Sequence, residues 1–413
     1  MRHVIVGNGP AALSAVEALR RTDPSCDITV VAGERGQAYT PCFLSRYVSG
    51  EIAEDKLALK GEDFYEKHRV TLRSGIAAVG IRPGEHLVTL ADGSVLAYDR
   101  LLLACGAAPL VPHVPGLAGA GVVTFKSFDD AVALRALSAL LGNVVVLGSG
   151  FVAVEIAEAL VKRGMRVTLV ARKERILRRI FDAEVAGMAE AHLSSNGVRI
   201  IKERELREVE RRCVRQELTA VVLSHGEHLV CDLLIVAVGM RPNLDILRGS
   251  DIAAASGVLV DDRMHSSAPD IFAAGDMAEI DVAGTRKTNL IHPSAVATGE
   301  IAGRVMAGAD ARLEAHLDDM NVLTIFGLPF LSAGALEGTP ILERRQDARG
   351  LVKLFAGDDG FVSGVELVGD VTRGGLYRSL IQRRVPVAAI PDILSPRFNY
   401  GATLQSPLTS QTH

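Results

Sequence analysis

Two short glycine clusters are the residues here whose types and spacing point to chemistry. The first is Gly7-Asn8-Gly9-Pro10-Ala11-Ala12, and the second is Gly148-Ser149-Gly150-Phe151-Val152-Ala153, followed by Glu155. Each follows a short apolar run and opens a helical pattern. In that setting the first glycine permits a tight turn and the second lets the backbone approach a pyrophosphate. The small third residue lets helix and strand pack closely. The helix N-terminus then offers N–H donors and a favourable dipole to phosphate. The chemistry implied is the binding of two dinucleotides. A glycine-rich turn alone is also ordinary structure, so the strand, the helix and the residues downstream decide the matter.

Downstream of the first cluster, Glu34 follows the next apolar run, with Arg35 beside it. An acid there binds ribose hydroxyls. The matching place after the second cluster reads Ala171-Arg172-Lys173. An arginine there accommodates a 2′-phosphate, so this unit leans toward NADP(H) or dual use, unless Arg172 and Lys173 are only solvated charges. Far from both clusters, Ile271-Phe272-Ala273-Ala274-Gly275-Asp276 places a carboxylate at the end of a buried run, where ligands bind in open α/β sheets. Cys42 is a further candidate. A thiolate beside a redox cofactor attacks disulfides or peroxides, whereas a buried thiol is inert. His292, just ahead of Pro293, reads better as a structural histidine than as a ligand contact.

These residues need elements to hold them. Arg2–Val6 reads as a parallel strand, Pro10–Arg21 as a helix and Asp27–Val31 as the next strand. Asp92-Gly93 between His86–Leu90 and Val95–Ala97 is a hairpin signal. Leu101–Ala104 is another buried strand, Pro109–Gly116 a linker and Asp129–Leu141 an amphipathic helix. At Asn143 the opening pattern starts again, with strand Val144–Leu147, a glycine turn, a helix to about Gly164 and strand Arg166–Val170. This repeat means two dinucleotide-binding units. From about Ala311 short strands alternate with turns, and one helix covers about Gly374–Arg384. The expected fold is α/β, with two Rossmann-like domains, the second inserted in the first, plus a C-terminal α+β domain. The expected boundaries are 1–111 and 246–310 for the first domain, 112–245 for the second and 311–413 for the third. Gln405–His413 is expected to fray.

Composition narrows the class. The chain has 413 residues, 40 of them Gly, and 48% hydrophobic residues, which suits a globular α/β protein of two or three domains. Its net charge of −4 argues against nucleic acid or an anionic membrane as main partner. The five cysteines (Cys26, Cys42, Cys105, Cys213 and Cys231) form no C-x-x-C pair and no zinc spacing. That pattern fits a reducing cytosol. The histidines show no metal spacing, and Asp318-Asp319 reads as a surface pair. No signal peptide is expected. The apolar stretch Ala136–Val154 is broken by glycines, so no membrane span is expected.

Taken in order, Gly7-x-Gly9-x-x-Ala12, Ala104-Cys105-Gly106, Gly148-x-Gly150-x-x-Ala153-x-Glu155, Gly239-Met240-Arg241-Pro242-Asn243 and Ala274-Gly275-Asp276 resemble the FAD-dependent pyridine nucleotide–disulfide oxidoreductases over roughly residues 1–310. Cys105 departs from the usual Ala-Thr-Gly. The resemblance implies that the first unit binds FAD through Gly7, Gly9, Pro10, Ala11, Ala12, Glu34, Arg35, Cys42, Arg46, Ala104, Gly106, Gly275 and Asp276. It implies that the second binds NAD(P)H through Gly148, Gly150, Phe151, Val152, Glu155, Arg172 and Gly239, with Glu155 near the nicotinamide.

Within that family, Tyr39-Thr40-Pro41-Cys42-Phe43-Leu44-Ser45-Arg46, Phe326-Gly327-Leu328-Pro329 and Gly364–Asp370 are similar to segments of the rubredoxin and ferredoxin reductases and of assimilatory nitrite reductases. Flavin subunits of NAD-reducing complexes, such as phenylglyoxylate dehydrogenase and tungsten aldehyde oxidoreductase, are similar too. The activity implied is electron transfer between NAD(P)(H) and an iron–sulfur protein or partner subunit, with hydride passing directly between stacked nicotinamide and flavin. An oligomer or a larger complex is the expected assembly. Two other readings stand beside it. One is a single-cysteine disulfide or peroxide reductase of the coenzyme A disulfide reductase or NADH oxidase type, using Cys42. The other is a non-catalytic FAD-binding sensor or scaffold.

Overall fold

The computed structural model describes residues 1–137, 142–212, 217–282, 285–288, 290–313, 320–336, 341–390 and 393–395. Residues 138–141 of the expected helix, Cys213, Asp318-Asp319 and Gln405–His413 lie outside the described residues. The chain divides into two compact units, one of Met1–Val111, Thr124–Leu137 and Gly239–Leu317, the other of Pro112–Val123, Ser138–Val238 and Asp318–His413.

The first unit is built on a parallel sheet whose order is Ile271–Ala273, Arg100–Leu103, Arg2–Val6, Asp27–Ala32, Val70–Ser74. Ile5, Val30 and Leu102 are fully buried at its centre. Strands covered on both faces need continuous apolar runs, which Val4–Val6, Leu101–Leu103 and Ile271–Ala273 supply, while the edge strand Val70–Ser74 has no buried residue. The expected hairpin forms, pairing Leu87 with Ala97, but its first strand starts at Leu87 because His86 turns into the left-handed region at φ 54°.

Helix Pro10–Thr22 packs against helix His292–Met306 in an unusually close crossing. A Cβ on Gly299 would sit 2.1 Å from the Ala11 carbonyl oxygen, and one on Gly303 would sit 2.5 Å from that of Ala15. Two glycines one turn apart therefore let the helix backbones touch. Ser14 closes the contact by donating to the Val296 carbonyl at 2.8 Å.

The second unit repeats the plan. Its sheet contains, in order, Leu233–Val236, Asn143–Leu147, Arg166–Val170 and Arg199–Ile201, all parallel. Strand for strand this matches Arg100–Leu103, Arg2–Val6, Asp27–Ala32 and Val70–Ser74 of the first unit. The same unit carries an antiparallel five-stranded sheet ordered Asn321–Ile325, Leu328–Gly334, Val362–Gly369, Gly350–Ala356, Ile341–Asp347. Helix Gly374–Gln382 covers one face through Tyr377 and Leu380, which join Leu354, Val365 and Leu367 in a separate core. The architecture is thus two Rossmann-like folds, the second inserted in the chain of the first, and a C-terminal α+β part. Among the described residues no helix is long and apolar enough to cross a membrane.

The glycines give opposite predictions for one substitution. Gly299→Ala should cost about 2–3 kcal/mol, because the new methyl meets backbone that cannot move away. Gly187→Ala should stabilise by about 0.5–1 kcal/mol, because a Cβ at this exposed position in helix Ala183–Ser195 meets nothing within 4 Å. Urea unfolding of both variants checks the signs.

Candidate functional sites

The two glycine turns are near copies of each other. Gly7 has φ +122°, and a Cβ there would lie 2.1 Å from the Ala104 carbonyl oxygen. Gly148 has φ +147°, and a Cβ there would lie 2.2 Å from the Ala237 carbonyl oxygen. In both cases the carbonyl belongs to the segment leaving the neighbouring strand. The Gly7 N–H donates to Val31 at 2.8 Å, and the Gly148 N–H donates to Val170 at 3.0 Å. Gly9 and Gly150 are then the N-caps of the two helices, with φ/ψ of −98°/−170° and −93°/−172°.

No side chain caps either helix, and a Cβ on Gly9 or Gly150 would meet nothing within 4 Å. The first N–H groups of a helix have no intrahelical partner. Here the N-cap residue carries no side chain and has open space beside it, as the cradle for a pyrophosphate requires. Pro10 takes the first helical position, where its missing N–H costs nothing. Ala11 lies against Gly275 and Gly299, while Ala12 and Ala153 are fully buried between helix and sheet. Phe151, Val152 and Glu155 are half-buried on the first turns of the second helix.

Around the first turn the structure gathers several of the residues picked out from the sequence. Glu34 and Arg35 are exposed just past strand Asp27–Ala32. Glu34 accepts from the Tyr39 hydroxyl at 2.6 Å, and that hydroxyl accepts the Phe128 N–H at 3.2 Å. Burial, reinforced by the Glu34 carboxylate, raises the Tyr39 pKa, so the phenol stays a donor. Ala104 is buried and Cys105 and Gly106 follow, with burial pushing the Cys105 thiol up to about 11. At neutral pH that thiol stays protonated.

Two motifs remote in sequence meet here. The Asn243 side-chain amide donates to the Cys105 carbonyl at 2.7 Å, and its N–H donates to the Gly106 carbonyl at 3.0 Å. Strand Met240–Pro242 pairs with Ala107–Pro109, so the segment read as a linker begins as a strand. Gly239 belongs to this pairing and lies in the first unit.

Asp276 sits in the short turn Gly275–Met277 that follows strand Ile271–Ala273. The Gly275 N–H is held by the Thr298 hydroxyl at 2.9 Å. Burial raises the Asp276 pKa, and Lys126, with Nζ 3.8 Å from Oδ2, opposes that rise. Lys126 was not legible as a site residue. It lies on a segment that the sequence assigns to the other domain, and Asp130 fixes its backbone by accepting the Lys126 N–H at 2.9 Å.

Cys42 is exposed, in the short turn Pro41–Phe43 ahead of helix Leu44–Ser49. Its side chain is therefore not that of a buried, inert thiol. The Arg46 guanidinium lies over the Phe43 ring, 5.4 Å from its centroid. His292 opens helix His292–Met306, and burial lowers its pKa.

In the second unit, strand Arg166–Val170 ends at the fully buried Ala171, with Arg172 and Lys173 exposed after it. The segment then folds back, and the Leu177 N–H donates to the Ser149 carbonyl inside the glycine turn at 2.7 Å. This brings Arg178 to the same end of the sheet. The arginine at that position was missed, since only the fold-back at Leu177, with φ +53°, reveals it.

The comparisons with known proteins follow this geometry. The family model described as "Pyridine nucleotide-disulphide oxidoreductase" matches residues 1–299. The NADH-dependent phenylglyoxylate dehydrogenase subunit epsilon of Aromatoleum evansii is 34% identical, covering 94% of this chain and 93% of that protein. The CoA-dependent NAD(P)H sulfur oxidoreductase of Pyrococcus abyssi is 32% identical over 74% of this chain and 70% of its own. The solved NADH:rubredoxin oxidoreductase of Clostridium acetobutylicum superposes with a TM-score of 0.75 at 25% identity, covering 98% of both chains. A match over most of the length, together with two duplicated glycine turns, establishes that the chain belongs to the pyridine nucleotide–disulphide oxidoreductase family, whose members are FAD- and NAD(P)H-dependent oxidoreductases.

Proposed function

We propose that this protein carries electrons between NAD(P)(H) and a one-electron iron–sulfur protein or partner subunit. The observation that carries the reading is the near full-length similarity to a dehydrogenase subunit, at 34% identity. The likeness to a rubredoxin oxidoreductase structure supports the same acceptor class. The chain's five cysteines lack iron–sulfur spacing, so the one-electron carrier is another polypeptide. Flavin, once bound, takes two electrons and releases them singly. We place the protein in the cytoplasm, where its sparse cysteines would stay reduced.

The residues divide the work. The turn at Gly7 and Gly9 and the first turn Pro10-Ala11-Ala12 receive the FAD pyrophosphate. Glu34 accepts from the adenosine ribose, with Arg35 beside it. Arg46, Cys42, Ala104, Gly106 and Gly275 line the flavin's path. Asp276 accepts from the ribityl hydroxyls, and Lys126 keeps that carboxyl polarised. In the second unit Gly148, Gly150, Phe151 and Val152 receive the nicotinamide dinucleotide's pyrophosphate, and Glu155 stands toward its nicotinamide. Gly239 lies on the segment that returns the chain to the first unit. Ala171 leaves no acid to repel a 2′-phosphate, and Arg172, Lys173 and Arg178 favour one.

Cys42 supports a second reading, because its exposure and the sulfur oxidoreductase relative fit a thiol that attacks sulfur substrates. Cys42→Ser separates the two. Under the first reading NADPH-driven reduction of a ferredoxin or rubredoxin stays within twofold of the unchanged protein. Loss of that activity would instead assign the electrons to the thiol.

Further outcomes are expected. Anaerobic NADPH should bleach bound flavin, and Arg172→Ala should raise the KM for NADPH about tenfold while leaving that for NADH in place, as fits a lost charge-assisted hydrogen bond. A protein already selective for NADH contradicts the 2′-phosphate assignment. Gly148→Ala should weaken nucleotide binding with flavin retained, whereas Gly7→Ala should lower flavin content. Absorbance of the purified variants and nucleotide titration distinguish them.

A further inference from the structure

The segment 172–181 joins strand Arg166–Val170 to helix Ala183–Ser195 and carries five basic side chains. It is tied down in three places. At its start, the Arg204 N–H donates to the Ala171 carbonyl at 3.2 Å. In its middle, the Ile176 N–H donates to Glu190 at 3.0 Å and the Leu177 N–H to Ser149 at 2.7 Å.

Its end is held from the C-terminal sheet of the same unit. Asp182 caps helix Ala183–Ser195 by accepting the Val185 N–H at 3.0 Å, and its own N–H donates to Glu366 Oε1 at 2.7 Å. Lys353 donates to the Asp182 carboxylate, and its Nζ lies 3.1 Å from Glu184 Oε2 and 3.8 Å from Glu366 Oε2. Arg344 adds a bond to Glu184 at 2.6 Å. Phe181 packs its ring 6.0 Å from that of Phe330.

The placement is unusual for such charged groups. Lys353 is 1% exposed and Glu366 0%. They are cross-strand partners, and Ser332, also buried, pairs with Glu366 on its other side. A polar row thus crosses three central strands on the face opposite helix Gly374–Gln382. Burial pushes the Glu366 carboxyl up to about 8, so at neutral pH it is mostly protonated and the two cations balance Asp182 and Glu184. A buried ionic cluster adds little net stability over apolar packing of the same volume. What it does supply is one fixed position for the Asp182 backbone, at the foot of the basic segment.

We propose that Glu366 and Lys353 are positioning residues for the nicotinamide dinucleotide, through which the C-terminal sheet sets the conformation of segment 172–181 and hence affinity for the phosphorylated adenosine end. This rests on the reading that the second unit binds NAD(P)(H). The Asp182 N–H needs an acceptor at Glu366 and not a charge there, so Glu366→Gln keeps the device and Glu366→Leu breaks it.

The experiment measures three quantities on the flavin-loaded protein. They are the Kd of 2′,5′-ADP, the KM and kcat for NADPH, and the kcat/KM for reduced nicotinamide mononucleotide, which lacks the adenosine end. Glu366→Leu should weaken 2′,5′-ADP and raise the NADPH KM about tenfold, with kcat unchanged. Reduced nicotinamide mononucleotide should react as with the unchanged protein, and Glu366→Gln should restore both affinities. Lys353→Met should follow Glu366→Leu. Unaltered 2′,5′-ADP binding in Glu366→Leu overturns the proposal, as does an equal loss with the mononucleotide, which would mark general damage. If the unchanged protein binds no 2′,5′-ADP yet its flavin is bleached by NADH, the proposal falls and the electron-transfer reading stands. If neither nucleotide bleaches the flavin, that reading falls as well.

Discussion

A missing β-carbon at two places governs the rest of this molecule. At Gly7 and Gly148 the backbone runs at positive φ with a carbonyl of the adjoining strand's exit segment about where a methyl would be. An L-residue would be strained twice over, by its own dihedral and by the carbonyl. Because each turn is this tight, the helix begins directly above the strand end. Its N-terminus then points along the sheet's C-terminal edge, which is where a pyrophosphate binds. The small residues Ala12 and Ala153 keep the helices down on the sheets. Loosening the turn would shift the helix N-terminus away from the strand end.

Around the first turn, the family's separate sequence motifs become one construction. Asn243 ties Cys105 and Gly106 to the segment that re-enters the first unit. Thr298 holds Gly275, and so aims Asp276. Most of these bonds go to backbone groups. The motif residues are thus held as much for where they place the main chain as for what their side chains touch. Asp276 is the exception, a carboxylate kept in a mostly buried place with a lysine at the edge of contact range.

What the sequence made legible is local. The glycine turns announce themselves because strand, turn and helix are contiguous, and the second unit repeats the first from Asn143 onward. The hairpin at Asp92-Gly93 is likewise a matter of neighbouring residues. What escaped depends on pairs far apart. Lys126 looks like any surface lysine until the fold sets it beside Asp276. Gly299 and Gly303 are two helix glycines with no visible purpose until Ala11 and Ala15 arrive beneath them. Lys353 and Glu366, read along their strands, suggest a wet sheet face, yet both are buried, with Asp182 at the cap of helix Ala183–Ser195 as a partner of each. Cys42 could be read as either buried or accessible, since nothing near it in sequence sets its exposure.

The glycine contact between the two helices of the first unit also says something about how the chain is made. Ser14 and Val296, joined by a hydrogen bond, are 282 residues apart in sequence. On a ribosome the opening strand and helix emerge early, but the helix that seals them comes only after the whole inserted domain has left the exit tunnel. Until then Ala11 and Ala15 present bare backbone and an uncovered apolar flank. Long-range closure of this kind is slow and leaves surface open to wrong partners. The inserted domain, whose glycine turn, helix and sheet lie within one continuous stretch, can finish folding first. The first unit would then be completed only after the inserted domain is already native.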